Sequence, residues 1–140
     1  SKSPNEAKLI FEARNVNMKK TQWTVDKIKA SLAEISVKLN KPVTKLKVAY
    51  LGLSFKPNID DLRESPALEV VDQLINFGAQ YVCVEPNIIH LADHPLVTID
   101  KVINNCDLIV LLVKHDKFLA RKSDILSSKS KILDFCGLNK

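Results

Sequence analysis

Two kinds of hydrophobic spacing divide the chain. Up to Leu39, apolar residues recur every three or four positions. Leu9, Ile10, Ala13 and Val16 form one such stripe between Asn5 and Asn17, and Val25, Ile28, Leu32, Ile35 and Leu39 form a second between Thr24 and Leu39. Both segments are predicted helices. The second stripe is narrow enough to seat another helix, and it equally suits packing on the rest of the domain. Asn40-Lys-Pro42 ends that helix, because proline cannot continue it. From Lys45 onward short apolar runs alternate with helical stripes. Strands are predicted at Leu46 to Leu53, Tyr81 to Val84, Val97, Leu108 to Val113 and Lys131 to Asp134. Helices are predicted at Ser65 to Phe77, Ile99 to Asn105 and Phe118 to Ser127. In the first of these, Leu68, Val71, Leu74 and Ile75 face inward and Gly78 is the stop. Asn87 to Pro95 reads as loop. The unbroken run Leu108 to Val113 fits a strand buried on both faces. Repeated strand–helix units joined by right-handed crossovers imply an α/β fold with a doubly wound parallel sheet, preceded by a helical lead-in.

Composition narrows the function classes. At 140 residues the chain holds one domain plus the lead-in, and a hydrophobic share of 46% supports a sizeable core. No apolar run reaches the length of a membrane span, so no membrane partner is expected. The opening Ser1-Lys-Ser-Pro-Asn-Glu6 is polar, without the apolar centre of a signal peptide. Cys83, Cys106 and Cys136 are odd in number and isolated, which suits a reducing cytoplasm better than a disulfide framework. The formal charge of +5 comes from scattered lysines. It describes a solvated surface, with at most a modest attraction for anionic nucleotides. No helix-turn-helix, zinc spacing or string of aromatics points to nucleic acid.

Candidate chemistry concentrates where strands end. Between Leu51 and Pro66 lies a polar loop with Lys56, Arg63, Asp60, Asp61 and Glu64. Ser65 is a good N-cap and Pro66 a good first helical residue. Such a loop opens at the C-terminal edge of a parallel sheet, where α/β proteins bind ligands. A helix N-terminus with Lys56 and Arg63 nearby favours an anion such as a pyrophosphate. The two cations equally suit surface pairing with Asp60, Asp61 or Glu64. Gly52 is the only glycine of the loop, so the glycine-rich dinucleotide fingerprint is absent. Glu85 ends a strand about where a dinucleotide fold places its ribose acid, while Pro86 and Asn87 suit a turn. Lys114-His115 follows another strand at the same edge. His115 reads either as a general base or as a loop histidine, with no partner identifiable from the sequence. His90 and His94 have the spacing of helical metal ligands, but Asp93 and Pro95 oppose a helix and no third ligand is near, so no metal is expected.

The string Phe55-Lys-Pro-Asn-Ile-Asp-Asp-Leu-Arg-Glu-Ser-Pro66 resembles the C-terminal domain of the UDP-glucose/GDP-mannose dehydrogenase family. Ala13-Arg-Asn-Val-Asn17, Val84-Glu-Pro-Asn-Ile88 and Leu112-Val-Lys-His-Asp-Lys-Phe118 extend the likeness over nearly the whole chain. The resemblance implies a Rossmann-like fold, with residues 1–44 as the end of a central helical region and 45–140 as the UDP-sugar-binding domain. It implies an enzyme that oxidises a sugar C6 alcohol to a carboxylate in two NAD-dependent steps, through a thiohemiacetal and a thioester on a cysteine. That cysteine belongs to a glycine-rich motif of the upstream domains. None of Cys83, Cys106 or Cys136 lies in such a motif, so this segment contributes no catalytic residue and is expected to be inactive alone. By the same likeness Phe55 and Lys56 contact the UDP-sugar substrate and Arg63 reaches the NAD, which is held mainly by a separate domain. Many glucose-specific relatives carry Glu-Trp where this chain has Lys114-His115. The departure favours the branch that acts on UDP-N-acetyl-D-mannosamine for bacterial surface polysaccharides. Oxidation of UDP-N-acetylglucosamine or UDP-glucose, and a stand-alone nucleotide-binding module, remain the alternatives. The family pairs through its central helical region, so a homodimer is expected, with the Val25 to Leu39 stripe as its seam.

Overall fold

The computed structural model describes residues 4–139, with side chains from Lys20 onward. One helix, α1, runs from Pro4 to Leu39. Two helices were expected here, but nothing between Asn5 and Leu39 is a glycine or proline, so no residue interrupts the hydrogen-bond ladder. The Leu9 to Val16 stripe lies outside the described side chains. Asn40, at a φ of 53°, ends α1 in the left-handed region that asparagine tolerates, and Pro42 follows.

The remaining elements are β1 (Lys47–Leu51), α2 (Pro66–Leu74), β2 (Gln80–Val84), β3 (Leu108–Leu111), α3 (Asp116–Leu119), α4 (Lys122–Leu126) and β4 (Lys131–Asp134). The strands pair in parallel in the order β2-β1-β3-β4. The chain leaves β1 toward β2, then crosses back to β3 on the other side of β1. The C-terminal ends of β1 and β3 therefore form the topological switch point, where a crevice opens.

Both faces of the central strands are covered, as the apolar runs predict. Val48, Tyr50, Leu108 and Val110 face one core with Val70, Val71 and Leu74 of α2. Ala49, Leu51, Ile109 and Leu111 face another with Phe118 of α3 and Ile125 of α4. The α1 stripe joins the first core. Val25, Ile28 and Leu32 are at most 1% exposed and Ile35 is 8% exposed. The seam expected between subunits is thus filled by this chain's own sheet and α2. Only Leu39, at its end, is exposed.

Local predictions hold where the signal is local. Ser65 caps α2 by accepting from Leu68 N–H at 3.2 Å, Pro66 is the first helical residue, and Gly78 takes a φ of 103° after the helix. Ile75, expected inside, is exposed, while Ala67 and Val70 are buried. The helix tightens to a 3-10 turn over Ile75–Phe77, which changes the angle between successive side chains. The strand expected at Val97 is a single parallel bridge between Leu96 and Cys83. Residues 99–105 supply one 3-10 turn, Ile99–Lys101, and the helix expected over 118–127 is divided at Arg121 into α3 and α4. No helix among the described residues is long and apolar enough to cross a membrane.

Candidate functional site

The loop from Gly52 to Ser65 projects from the switch point. It begins with a contact that only glycine permits. A Cβ on Gly52 would stand 2.6 Å from Val113 Cβ, and its φ is 94°. The loop ends at Ser65, whose hydroxyl donates to Leu53 O at 2.6 Å while capping α2. Between these points Phe55 N–H donates to Asp61 O at 2.8 Å, closing a turn that presents Lys56 to Asp60 at the surface.

Beneath the turn is a buried polar cluster drawn from three strand ends. Glu85, at the end of β2, is 2% exposed and His115, after β3, is 1% exposed. Glu85 Oε1 accepts from Leu53 N–H at 2.9 Å, from Ser54 N–H at 3.1 Å and from His115 Nε2 at 2.8 Å. Glu85 Oε2 accepts from Asn87 N–H at 3.1 Å. His115 Nδ1 accepts from Asn58 N–H at 2.8 Å. A backbone amide can only donate, so Nδ1 bears a lone pair and the ring proton sits on Nε2, aimed at the carboxylate. Burial opposes ionisation of Glu85, but the His115, Leu53 and Asn87 hydrogen bonds outweigh it and hold the carboxyl below its usual range.

This cluster decides what the loop can grip. In a dinucleotide fold the amides after the first strand face the pyrophosphate. Here the Leu53 and Ser54 amides are satisfied by Glu85, and the space over Gly52 is filled by Val113. These residues do not fit a dinucleotide pyrophosphate at that point. Nor do Ser54, His115 and Glu85 make a nucleophilic relay. Serine and carboxylate share Nε2, at 3.3 and 2.8 Å, and Nδ1 is taken by backbone.

The predicted contact residues lie on the outer side of the turn. Lys56 is exposed and makes no ion pair among the described residues, its ammonium standing 5.7 Å from the centre of the half-exposed Phe55 ring. Arg63 is paired with Asp61, through Nε and Nη2 at 3.1 Å each, as the surface-pairing alternative required. The hydrogen bond from Arg63 lowers the Asp61 carboxyl and raises the guanidinium in turn. Phe55, Asp61, Arg63 and Glu64 together line an open groove of about 390 Å³. A larger depression of about 900 Å³ lies at the opposite end of the sheet, among Glu34, Lys38, Asn104 and Lys131. None of the predicted contact residues lines it.

The other candidates are structural. His94 is buried and spans Asp72 Oδ1 and Tyr81 Oη, each at 2.7 Å, whereas His90 is exposed. No group of three or more histidine, cysteine, aspartate or glutamate side chains among the described residues is placed to hold a metal. Of the three thiols, only Cys83 is fully buried. Burial pushes Cys83 and Cys136 up to about 12, so both stay protonated at neutral pH. Nothing in the sequence marks Ser54 or Asn58 as part of the buried polar cluster. Their polar identity in a loop carries no signal of a partner some sixty residues away.

A parallel sheet with a long charged loop at its switch point, and no free pyrophosphate cradle among the described residues, defines a doubly wound type of α/β domain that is not itself a dinucleotide grip. The chain belongs to the UDP-glucose/GDP-mannose dehydrogenase family, whose UDP binding domain matches residues 49–138. It is 38% identical to the UDP-N-acetyl-D-mannosamine dehydrogenase of Escherichia coli K12 across 89% of this chain and 31% of that protein. It is 39% identical to the enzyme of that name from Campylobacter jejuni across 96% of this chain and 31% of the relative. Its fold superposes on the UDP-N-acetyl-mannosamine dehydrogenase of S. aureus with a TM-score of 0.73 at 25% identity, covering 98% of this chain and 31% of that one. The chain thus spans under a third of the length of these relatives.

Proposed function

We propose that this chain is the substrate-binding C-terminal part of an NAD-dependent dehydrogenase that oxidises the C6 alcohol of UDP-N-acetyl-D-mannosamine to a carboxylate. The match of residues 49–138 to a UDP binding domain carries the reading. The named relatives supply the sugar. In this reading residues 1–44 close the central helical region and 45–140 bind the nucleotide sugar. Lys56, exposed and without an acidic partner among the described residues, supplies a positive charge to the UDP-sugar, and Phe55 supplies an apolar face beside it. Bound NAD would supply the hydride acceptor. This chain's contribution to it is the Arg63 guanidinium at the groove edge, exchanged from Asp61. Glu85 and His115 have their polar atoms turned inward and serve the loop rather than the ribose or the reacting carbon.

The reading places the protein in the cytoplasm, in keeping with three free cysteines. It also includes a homodimer formed through the helical region. With the Val25 to Ile35 stripe buried, that contact would use the opposite face of α1, where Ala30, Ala33 and Val37 are exposed.

The test is steady-state kinetics on the full-length protein that carries this chain. Lys56→Ala should raise the KM for the UDP-sugar and Arg63→Ala the KM for NAD, each by about tenfold to a hundredfold, the worth of a charge-assisted hydrogen bond. Unchanged constants in both variants would refute the assignment.

A further inference from the structure

His115 does not line the groove of the loop, yet it is among the most enclosed polar side chains of the fold. Its ring packs against Phe118, 5.4 Å between centres. It meets the loop on one side and the end of β2 on the other. We propose that His115 is a positioning residue: a neutral imidazole protonated on Nε2, it locks the turn at Asn58 onto the sheet and thereby sets where Lys56 stands toward the nucleotide sugar. The proposal rests on the reading of Lys56 as a substrate contact.

The backbone around Lys56 is fixed on both sides. Ser54 Oγ donates to Lys56 O at 2.7 Å, and two residues further on Asn58 N–H donates to His115 Nδ1 at 2.8 Å. Asn58 adopts a φ of 64°, which asparagine tolerates better than most residues, and its Oδ1 accepts from Asp116 N–H at 2.8 Å. Residues 115 and 116 thus hold the turn by two adjacent bonds. The carboxylate of Glu85 holds the ring in the tautomer that can accept. It also holds the Leu53 and Ser54 amides at the root of the loop. Root and tip of the loop are therefore referred to one buried pair. With the opposite tautomer, Nδ1–H would face the Asn58 N–H, two donors in opposition, and the lock would open.

Two near-isosteric variants separate the two sides of the ring. His115→Asn keeps an acceptor oxygen near Nδ1 and loses the Glu85 bond. His115→Gln keeps an N–H near Nε2 and loses the Asn58 bond. In the full-length protein His115→Gln should raise the UDP-sugar KM about tenfold while kcat and the NAD KM stay within about twofold, and His115→Asn should stay within about threefold on all three. Equal KM shifts in both variants, or a loss confined to kcat, would overturn the proposal. Lys56→Ala is measured alongside. If it leaves the UDP-sugar KM unchanged, the reading of Lys56 fails and this inference with it. If it raises KM while the two His115 variants behave alike, only the lock fails. Imidazole nitrogen shifts of the wild-type chain give a readout independent of any variant's folding. His115 should show a proton on Nε2 and an acceptor Nδ1, and a proton on Nδ1 alone would overturn the assignment.

Discussion

At the scale of single residues, the ligand edge is built by side chains too small or too specific to exchange. Gly52 has both a left-handed φ and no room for a Cβ beside Val113. Gly52→Ala should therefore destabilise the fold by about 2–4 kcal/mol, backbone strain and overpacking together. Urea denaturation of both proteins measures it, and a loss below about 0.5 kcal/mol would show that the Val113 loop yields freely. Gly52 was visible in the sequence only as a lone glycine; what it accommodates is a strand end sixty residues later. Ser65, Pro66 and Gly78 were legible in full because each acts on its own few neighbours. Glu85 and His115 were legible as residue types at strand ends but not as a pair. Thirty residues separate them, and only the parallel pairing of β1 with both β2 and β3 brings their side chains to 2.8 Å.

At the scale of elements, α1 is the instructive case. Its spacing showed which residues share a face, and those residues are the buried ones. What they face was open, because a helix stripe packs on a sheet as readily as on a second copy. Complete burial of Ile28 against the domain core answers that. Ile28→Ala should cost about 2–5 kcal/mol, the range for a truncated core isoleucine. Ile28→Asp together with Ile35→Asp should lose the sheet rather than merely separate subunits. Circular dichroism with sedimentation distinguishes the two. A folded monomer would return the stripe to the role of a subunit contact. The cap makes a smaller claim: Ser65→Ala removes the acceptor for Leu68 N–H and the donor to Leu53 O, and should cost about 1–2 kcal/mol in the same denaturation assay.

For the whole molecule, two inward-facing carboxylates predict the response to acid. Glu85 lies below its ordinary 4.5 despite burial, because amides and His115 donate to it. Asp134 lies below its ordinary 3.8 despite burial, because the Asn139, Leu138 and Cys136 amides converge on it after β4. For both, the folded state binds fewer protons than the unfolded chain around those ordinary values. Their stabilisation is therefore fully present above about pH 4.5 and is lost as the pH falls through the lower folded-state values. The exposed Asp61–Arg63 pair adds little to this. Denaturation midpoints from pH 7 to 3 should fall on the acid side, and less steeply in Glu85→Gln. A midpoint that holds constant to pH 3 would contradict the assignment. The chain alone should form no NADH with UDP-N-acetyl-D-mannosamine, since the amides after β1 are occupied and the Cys83 and Cys136 thiols are held protonated. Turnover above a protein-free control would sink that expectation.

The one-dimensional pattern was sufficient for the class of fold, the four main strands, the ends of α2 and the surface loop that carries Lys56 and Arg63. Each of these depends on spacing along the chain, on apolar runs long enough to be buried on both faces, or on the local chemistry of caps and turns. Tertiary structure alone decided three things: that the α1 stripe is core, that Arg63 meets Asp61 while Lys56 meets no acid among the described residues, and that Glu85 faces His115. For the α1 stripe and the Glu85–His115 pair the physical reason is the same: burial and hydrogen-bond partners depend on distances across the sheet, and the crossovers that set those distances leave no periodic trace in the sequence. Arg63 and Asp61 lie in one loop, where the folded path alone selects Asp61 among the nearby acids.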